Sequence, residues 1–357
     1  MHGVEEVAGQ GIYSAQGLRQ DGHDATMVVY RPDAYGMPYD RYVKIDMRKK
    51  WLYPWYVCKK IAFLVYALFR YDVFHFHFGY SLFRGNWDLR ILRWFGKKIF
   101  FEFHGSDVRQ PSELHRRNPY FNPEGELDSP QKDKANRKRC RFADGVVLHD
   151  DELLSYLPAA LEKPIHIVPL RVDITRFCPV YPQANKERVT IVHAPSRRAS
   201  KGTAYVLEAV HELQKKYDLE FILLENKPQE EAFEIYKKAD IVIDQLIIGA
   251  YGVFAIEVMA MGKPVIVYIS EEMKDTYPEE LPVVSASPAD IKEKIEQLIL
   301  DGELRHSLGV KGRAYVERYH DYRVNAQIFY DIYAGTHAPR RGRDVFDEVL
   351  QYKRKTE

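Results

Sequence analysis

Cysteine is scarce in this chain. Three stand among 357 residues, Cys58, Cys140 and Cys178, scattered and odd in number. Neither a disulfide framework nor a metal-binding spacing is visible, which fits a reducing compartment and a cytoplasmic location. Charge of one sign is lacking too. Fifty-two basic residues face 51 acidic ones, for a net +1. A protein wrapped in nucleic acid needs a basic surface field, so that class is excluded. Long apolar runs are absent. The most apolar stretch, Ile61 to Phe69, is far shorter than the roughly 20 residues that span a bilayer. No apolar segment follows Met1, so no signal peptide is expected. Repeats, low-complexity tracts and an Asp-x-Asp metal signature are also missing. What remains is a soluble α/β protein whose length suggests two domains.

The most informative stretch is Ala239 to Tyr268. Ile241 to Asp244 is a β-branched run and reads as a buried strand. Gly249 and Gly252 break it, as a tight loop needs. Phe254, Val258 and Met261 then recur at helical spacing, and Gly262 suits a helix C-cap. Pro264 to Tyr268 is a second buried strand. Strand, glycine loop, helix and strand make one βαβ unit of a parallel sheet. Such a loop aims N–H groups and a positive dipole end at its occupant, usually phosphate. Glu257, one turn into the helix, can accept hydrogen bonds from sugar hydroxyls. The plainer reading makes Glu257 a solvated helix residue and the glycines a turn.

The run Gly-x-Tyr-Gly-x-x-Ala-Ile-Glu-x-Met-Ala-x-Gly-Lys-Pro-Val, from Gly249 to Val265, resembles the nucleotide-sugar signature of family 4 glycosyltransferases. The resemblance implies a retaining enzyme of the GT-B fold, in which two Rossmann-like domains face each other across a cleft. It places Gly249, Tyr251, Gly252 and Glu257 on the donor. The family carries two glutamates eight positions apart. The second matches Glu257, but the first falls on Gly249. That glutamate contacts the transferred sugar in the family. Asp244 and Gln245, at the preceding strand end, are the nearest replacements.

The rest of the chain adds parts to this frame. Gly9 and Gly11 open a helix, Ile12 to Gln20, yet the eight residues before Gly9 do not look like a strand. The expectation is a truncated strand or an irregular start, with the glycines facing the donor or forming an ordinary turn. Residues 48 to 70 mix Arg48, Lys49 and Lys50 with Trp51, Tyr53, Trp55 and Tyr56, then Lys59, Lys60 and an aromatic helix. They read as the buried face and solvated rim of a core helix. An anionic membrane surface is the alternative. In Tyr71 to Gly79, His75 and His77 share one strand face, but no third metal ligand is near in sequence. Lys98 to Phe103 is a strand ending in His104-Gly105-Ser106-Asp107-Val108-Arg109. This resembles the family's histidine-glycine turn, which lies against donor or acceptor. Residues 110 to 139 read as a long proline-punctuated loop with short helices. Arg171 to Pro182 resembles the interdomain crossover. After the strand Val189 to Ala194 come Arg197, Arg198, Lys201 and Gly202, with Thr203 as a helix cap. Cations above a helix start form a phosphate clamp. Lys201-Gly202 matches the family, and Arg197 or Arg198 supplies its arginine. Asn226 follows Glu225 at the end of a further strand.

The expected organisation is an N-terminal acceptor-side domain over 1–172, a nucleotide-sugar domain over 173–317, and helices over 318–357 crossing back. The expected activity is transfer of a sugar from a nucleotide-diphosphate donor to a hydroxyl acceptor, either a glycan, a lipid-linked sugar or a small metabolite. His104, Arg198 and Lys201 form the catalytic set, with no metal and no further cofactor. Gly9, Gly11, Arg197, Asp244, Gln245, Gly249, Tyr251, Gly252 and Glu257 form the donor set. A peripheral contact at the inner membrane face stays open. The alternatives are a nucleotide-sugar epimerase and a non-catalytic subunit. Gly249 in place of glutamate favours the non-catalytic one.

Overall fold

The computed structural model describes residues 1–356 except 34–35, 47–48, 123–126, 158–160 and 226. Arg48 and Asn226, singled out above, lie outside these. The chain divides into two compact units. The first gathers Met1–Arg109, Ser129–Arg171 and Tyr322–Glu357, and the second Gln110–Asp128 and Val172–Asp321.

The first unit is built on a parallel sheet of seven strands. These are β1 (His2–Val4), β2 (Met27–Val29), β3 (Arg41–Tyr42), β4 (Val73–His77), β5 (Lys98–Glu102), β6 (Gly145–Leu148) and β7 (Ile165–Ile167). Their order is β3-β2-β1-β4-β5-β6-β7. Of the two expectations, a truncated strand or an irregular start, the irregular start is overturned and a short strand is found. His2-Gly3-Val4 is a central strand, in register with Met27 on one side and His75 on the other. Three residues suffice because both neighbours hydrogen-bond to it, so strand-like side chains are not required. Phe74, Phe76, Ile99, Phe101, Val146 and Val147 fill the sheet faces and are fully buried.

The second unit holds β8 (Val189–His193), β9 (Leu219–Leu223), β10 (Ile241–Ile243) and β11 (Val265–Ile266), all parallel, in the order β11-β10-β8-β9. Ile191, Ile243 and Ile266 pack with Val206, Val210 and Leu213 of the helix Thr203–Leu213 and with Ile295 and Leu298 of the helix Ile291–Leu300. Thr203 does not cap its helix. Gly202 takes that place, and the Thr203 hydroxyl bonds His193 Nε2 at 2.9 Å.

The unit boundaries fall after Arg171 and after Asp321, where 172 and 317 were expected. The chain passes between units at Arg171 and Val172, and the helices Tyr322–Ala334 and Arg343–Thr356 belong to the first unit. The segment Gln110–Asp128, however, belongs to the second. Asn118 Nδ2 donates to Ile247 O at 2.9 Å, Leu114 and Phe121 pack on Ile247, and Arg117 pairs with Glu272. The helix Tyr53–Arg70 buries Tyr56, Phe63, Leu64, Ala67 and Leu68, as a core helix should. Its other face is apolar and exposed, against expectation.

Candidate active site

In the second unit β8 is followed on one side by β9 and on the other by β10. The strand order therefore reverses between β8 and β10, and ligands of open α/β sheets bind beyond the strand ends at such a point. Two loops leave there. Residues 194–202 carry the cations, and residues 244–252 lead into the helix Val253–Ala260. Gly252 is the N-cap of that helix, and no atom lies within 4 Å of where a Cβ would stand. The helix start thus has open space beside it. Glu257 is half-buried one turn further on. Burial raises its pKa from 4.5 to about 7, against the pull of Arg176.

Two of the expected cations are already engaged. Lys201 Nζ forms an ion pair with Asp244, whose second oxygen, Oδ2, is buried without a hydrogen bond. Arg198 makes a two-pronged contact with Glu225, at 2.9 and 2.6 Å, which holds the Glu225 carboxyl below its ordinary range. Arg197 is exposed at the start of the short helix Arg198–Lys201. Asp244 thus anchors the lysine of the clamp. It is fully buried, which corrects its expected place on the sugar.

Gln245 is corrected likewise. Its Nε2 donates to Ala250 O at 2.6 Å, and its Oε1 accepts from the amides of Ile247 and Ile248 at 2.8 and 2.7 Å. The whole amide side chain shapes the loop and leaves nothing for a sugar. Gly249 has φ +92°, and a Cβ there would stand 3.0 Å from that of Ser270. The position that holds a glutamate in the resembled family is here reserved for glycine by backbone and neighbour alike. Tyr251 is a packing residue. Its hydroxyl bonds Tyr315 and His320 at 3.1 Å each, and its ring lies on Tyr277, which removes it from the expected donor contacts.

In the first unit the strand order reverses between β1 and β4. The glycine loop after β1 is already filled by the chain's own carboxylate. Glu6 accepts from the amides of Val7, Gly11 and Ile12 at 2.9, 3.2 and 2.9 Å. Burial lifts its pKa to about 7, and these amides pull it back. Gly9, at φ +83°, packs on Tyr13 and Met37. Gly9 and Gly11 therefore serve this internal cap, and the helix start they were expected to offer a donor is occupied.

Beneath that loop lies a buried polar chain that sequence reasoning missed. His104 Nδ1 is 2.8 Å from His149 Nε2, and His104 Nε2 is 3.2 Å from His77 Nδ1. His77 Nε2 is 3.2 Å from His2 Nδ1, and His2 Nε2 is 3.2 Å from the Tyr333 hydroxyl. That hydroxyl is 2.6 Å from His75 Nδ1, and His75 Nε2 is 3.0 Å from Glu102. Burial opposes charge on Glu102, but Arg171 and the imidazoles around it hold its pKa well below the ordinary value. Burial, aided by neighbouring positive charge, pushes the histidines below theirs. His75 Nε2 and the Glu102 oxygen beside it make no hydrogen bond, and His149 Nδ1, 3.5 Å from the other Glu102 oxygen, has none either. Each neutral imidazole has one donor and one acceptor nitrogen, so the rings can pass hydrogen bonds along the chain.

Both ring nitrogens of His104 are used in this chain. It is a held residue of the turn, not a free base. Asp107 does not pair with Arg109. Its carboxylate accepts from the amides of His104 and Gly105, at 3.0 and 2.8 Å, while Arg109 pairs with Glu152. The fold also brings the third metal-type ligand that sequence spacing lacked. His2, His75 and His77 form one such group, and His77, Glu102 and His104 another, each with ligand atoms within 4.8 Å. The sequence signals were His75 and His77 on one strand face and Glu102, a charge at the end of the strand Lys98–Glu102.

Comparison with known proteins now has a geometry to meet. No curated protein matches the sequence. Among solved structures, sucrose-phosphate synthase from Thermosynechococcus elongatus is 16% identical, with TM-score 0.63 over 94% of this chain and 98% of that one. A glycosyltransferase from Rickettsia africae ESF-5 is 16% identical, with TM-score 0.63 over 92% and 94%. Anabaena HepE, solved in complex with UDP-glucose, is 11% identical, with TM-score 0.58 over 94% and 98%. At these identities the likeness is one of fold. The family model Glycosyltransferase Family 4 matches residues 12–176, and Glycosyl transferases group 1 matches residues 220–315. With both models in order along the chain, and with two parallel α/β sheets, the protein belongs to the family 4-like glycosyltransferases of the GT-B fold.

Proposed function

We propose that this glycosyltransferase moves a sugar from a nucleoside-diphosphate donor to a hydroxyl acceptor with retention at the anomeric carbon and without a metal. The observation that carries the reading is the pair of loops beyond β8 and β10. The helix start at Gly252 with open space beside it, the cations Arg197, Arg198 and Lys201, and Glu257 one turn on suit a diphosphate followed by a ribose. As the bond from the anomeric carbon to phosphate breaks, charge grows on the departing diphosphate. Fixed cations and amides stabilise it more than they stabilise the bound donor. The acceptor oxygen bonds to the same face of that carbon, and its proton passes to the departing phosphate oxygen. No side-chain base is needed, which agrees with a His104 whose ring nitrogens are both engaged. Asp244 and Glu225 keep the two cations in place until a donor competes for them. The acceptor is a glycan, a lipid-linked sugar or a small metabolite.

One observation favours a second reading, a subunit that binds a nucleotide sugar without transferring it. Gly249 offers no carboxylate to the sugar, and Asp244 and Gln245 do not replace it. A panel of UDP-, GDP- and ADP-sugars separates the two. HepE is solved with UDP-glucose, so that donor comes first. Transfer with a retained anomer in the product's proton NMR spectrum, undiminished by EDTA, supports the proposal. An inverted product, or loss in EDTA that magnesium or manganese restores, contradicts it. Donor binding with no transfer to any acceptor offered moves the assignment to the second reading.

A further inference from the structure

The helix Tyr53–Arg70 has two apolar faces, and the first unit uses only one. Facing outward, Trp51 is 79% exposed, Trp55 59%, Val65 50% and Phe69 83%. With Cys58 and Ala62 they fall at steps of four, three, four, three and four residues, one continuous stripe on a helix. Trp51 enters the stripe from the 3-10 turn Lys50–Leu52 just before. The connections β3 to β4 and β4 to β5 run the same way along the sheet. Right-handed crossovers then put the helices Tyr53–Arg70 and Asp88–Trp94 on one face. Trp94 is exposed there too.

Charge goes with the aromatics. From Arg41 to Arg70 the sequence carries eight basic residues against one acid, Asp46, in a chain whose other residues carry 44 basic against 50 acidic. Arg41, Lys44 and Lys49 are exposed. The Arg41 guanidinium lies 4.0 Å over the Tyr66 ring, and the Lys59 ammonium 5.8 Å from that of Trp55. Alternating tryptophan, tyrosine and cation is the composition of a bilayer interface, where rings sit among headgroups and cations meet phosphates. No helix among the described residues is long and apolar enough to cross a membrane. A second copy of the chain fits less well. A two-fold pairing through this stripe would bring basic surface against basic surface, with Asp46 alone to offset it.

We propose that the helix Tyr53–Arg70 lies in the plane of an anionic lipid surface. Trp51, Trp55, Val65 and Phe69 enter the headgroup–acyl boundary, and Arg41, Lys44 and Lys49 meet lipid phosphates. This rests on the exposed face alone and is independent of the sugar donor.

The test is cosedimentation of the full chain with vesicles of phosphatidylcholine, and with vesicles in which about 30% is phosphatidylglycerol. The protein should pellet with the anionic vesicles, shift its tryptophan emission to the blue, and bind less as salt rises. Val65→Glu and Phe69→Glu should each weaken binding at least about tenfold while keeping the wild-type melting curve, because both sites are solvent-facing. The double variant Lys44→Glu, Lys49→Glu should lose the preference for phosphatidylglycerol. Absence of pelleting with both vesicles overturns the proposal, as does binding that neither glutamate weakens. Sedimentation velocity covers the other occupant. A wild-type dimer that Phe69→Glu converts to monomer, with no vesicle binding, assigns the stripe to a second copy instead.

Discussion

At the residue scale the decisive positions are those where one side chain, or its lack, fixes the loop. Gly249 invites an obvious repair, restoring the glutamate found in the resembled family. The structure argues against it. A side chain at φ +92° is strained, and its Cβ meets Ser270 at 3.0 Å. Gly249→Glu should therefore cost about 1–3 kcal/mol in stability and leave transfer no faster. A variant that melts with the wild type and transfers faster would show that the loop adapts. Glu257 gives a second prediction. Its pKa is raised from 4.5 to about 7 by burial, so the folded chain holds a proton there that the unfolded chain has released. That contribution to stability is complete below pH 4.5 and is lost as pH rises through about 7. Glu257→Gln should gain in melting temperature relative to wild type over that window. If ribose hydroxyls donate to the carboxylate, donor affinity should rise with pH through about 7 in the wild type and stay flat in the variant. Parallel titrations of both proteins decide it.

At the scale of elements, strands with β-branched or aromatic runs were legible from sequence, and so was the βαβ unit around Gly249 to Glu257. The periodicity is local, and the sheet simply uses it. What stayed hidden depends on neighbours far along the chain. The strand His2–Val4 has little strand character of its own and exists because β2 and β4 flank it. Gln110–Asp128 showed its prolines but not which core would receive Leu114 and Phe121. The histidine chain draws on β1, β4, β5, the residue after β6 and a helix some 180 residues later, so no spacing rule could reveal it. Tyr333 is its most distant member and joins His2 to His75. Tyr333→Phe keeps the ring but leaves His75 Nδ1 and His2 Nε2 unpaired in the interior. It should destabilise the protein by about 1–3 kcal/mol, read by denaturant melting. Every member of the histidine chain belongs to the first unit, so the second should keep its nucleotide affinity. Unchanged stability would mean that the hydroxyl is not a required link.

For the whole molecule, chain order and structural order differ, and this has a consequence for truncation. The first unit is closed by the last residues of the sequence, Tyr322–Glu357. The helix Tyr322–Ala334 buries Val324, Ala326, Ile328, Phe329 and Ile332. Its Tyr322 ring stacks on Tyr13 at 5.6 Å and its hydroxyl accepts from Gln20 Nε2 at 3.0 Å. Burying a large apolar side chain is worth about 1.5–3 kcal/mol, so Val324, Ile328, Phe329 and Ile332 alone approach the whole stability of a domain, about 5–15 kcal/mol. A chain ending at Asp321 should thus lose the first unit as a folded body. The second unit draws only on Gln110–Asp128 and Val172–Asp321 and keeps all its own segments. Hydrogen exchange should find β1, β4 and β5 unprotected in the truncated chain, with β8 and β10 still protected and nucleotide binding retained in part. Loss of protection in both sheets together would show that the second unit cannot stand without the first. Full protection of β1 and β4 would show instead that the closing helices add little to the sheet they cover. The expected middle outcome follows from burial, because the truncation removes core from one unit and none from the other.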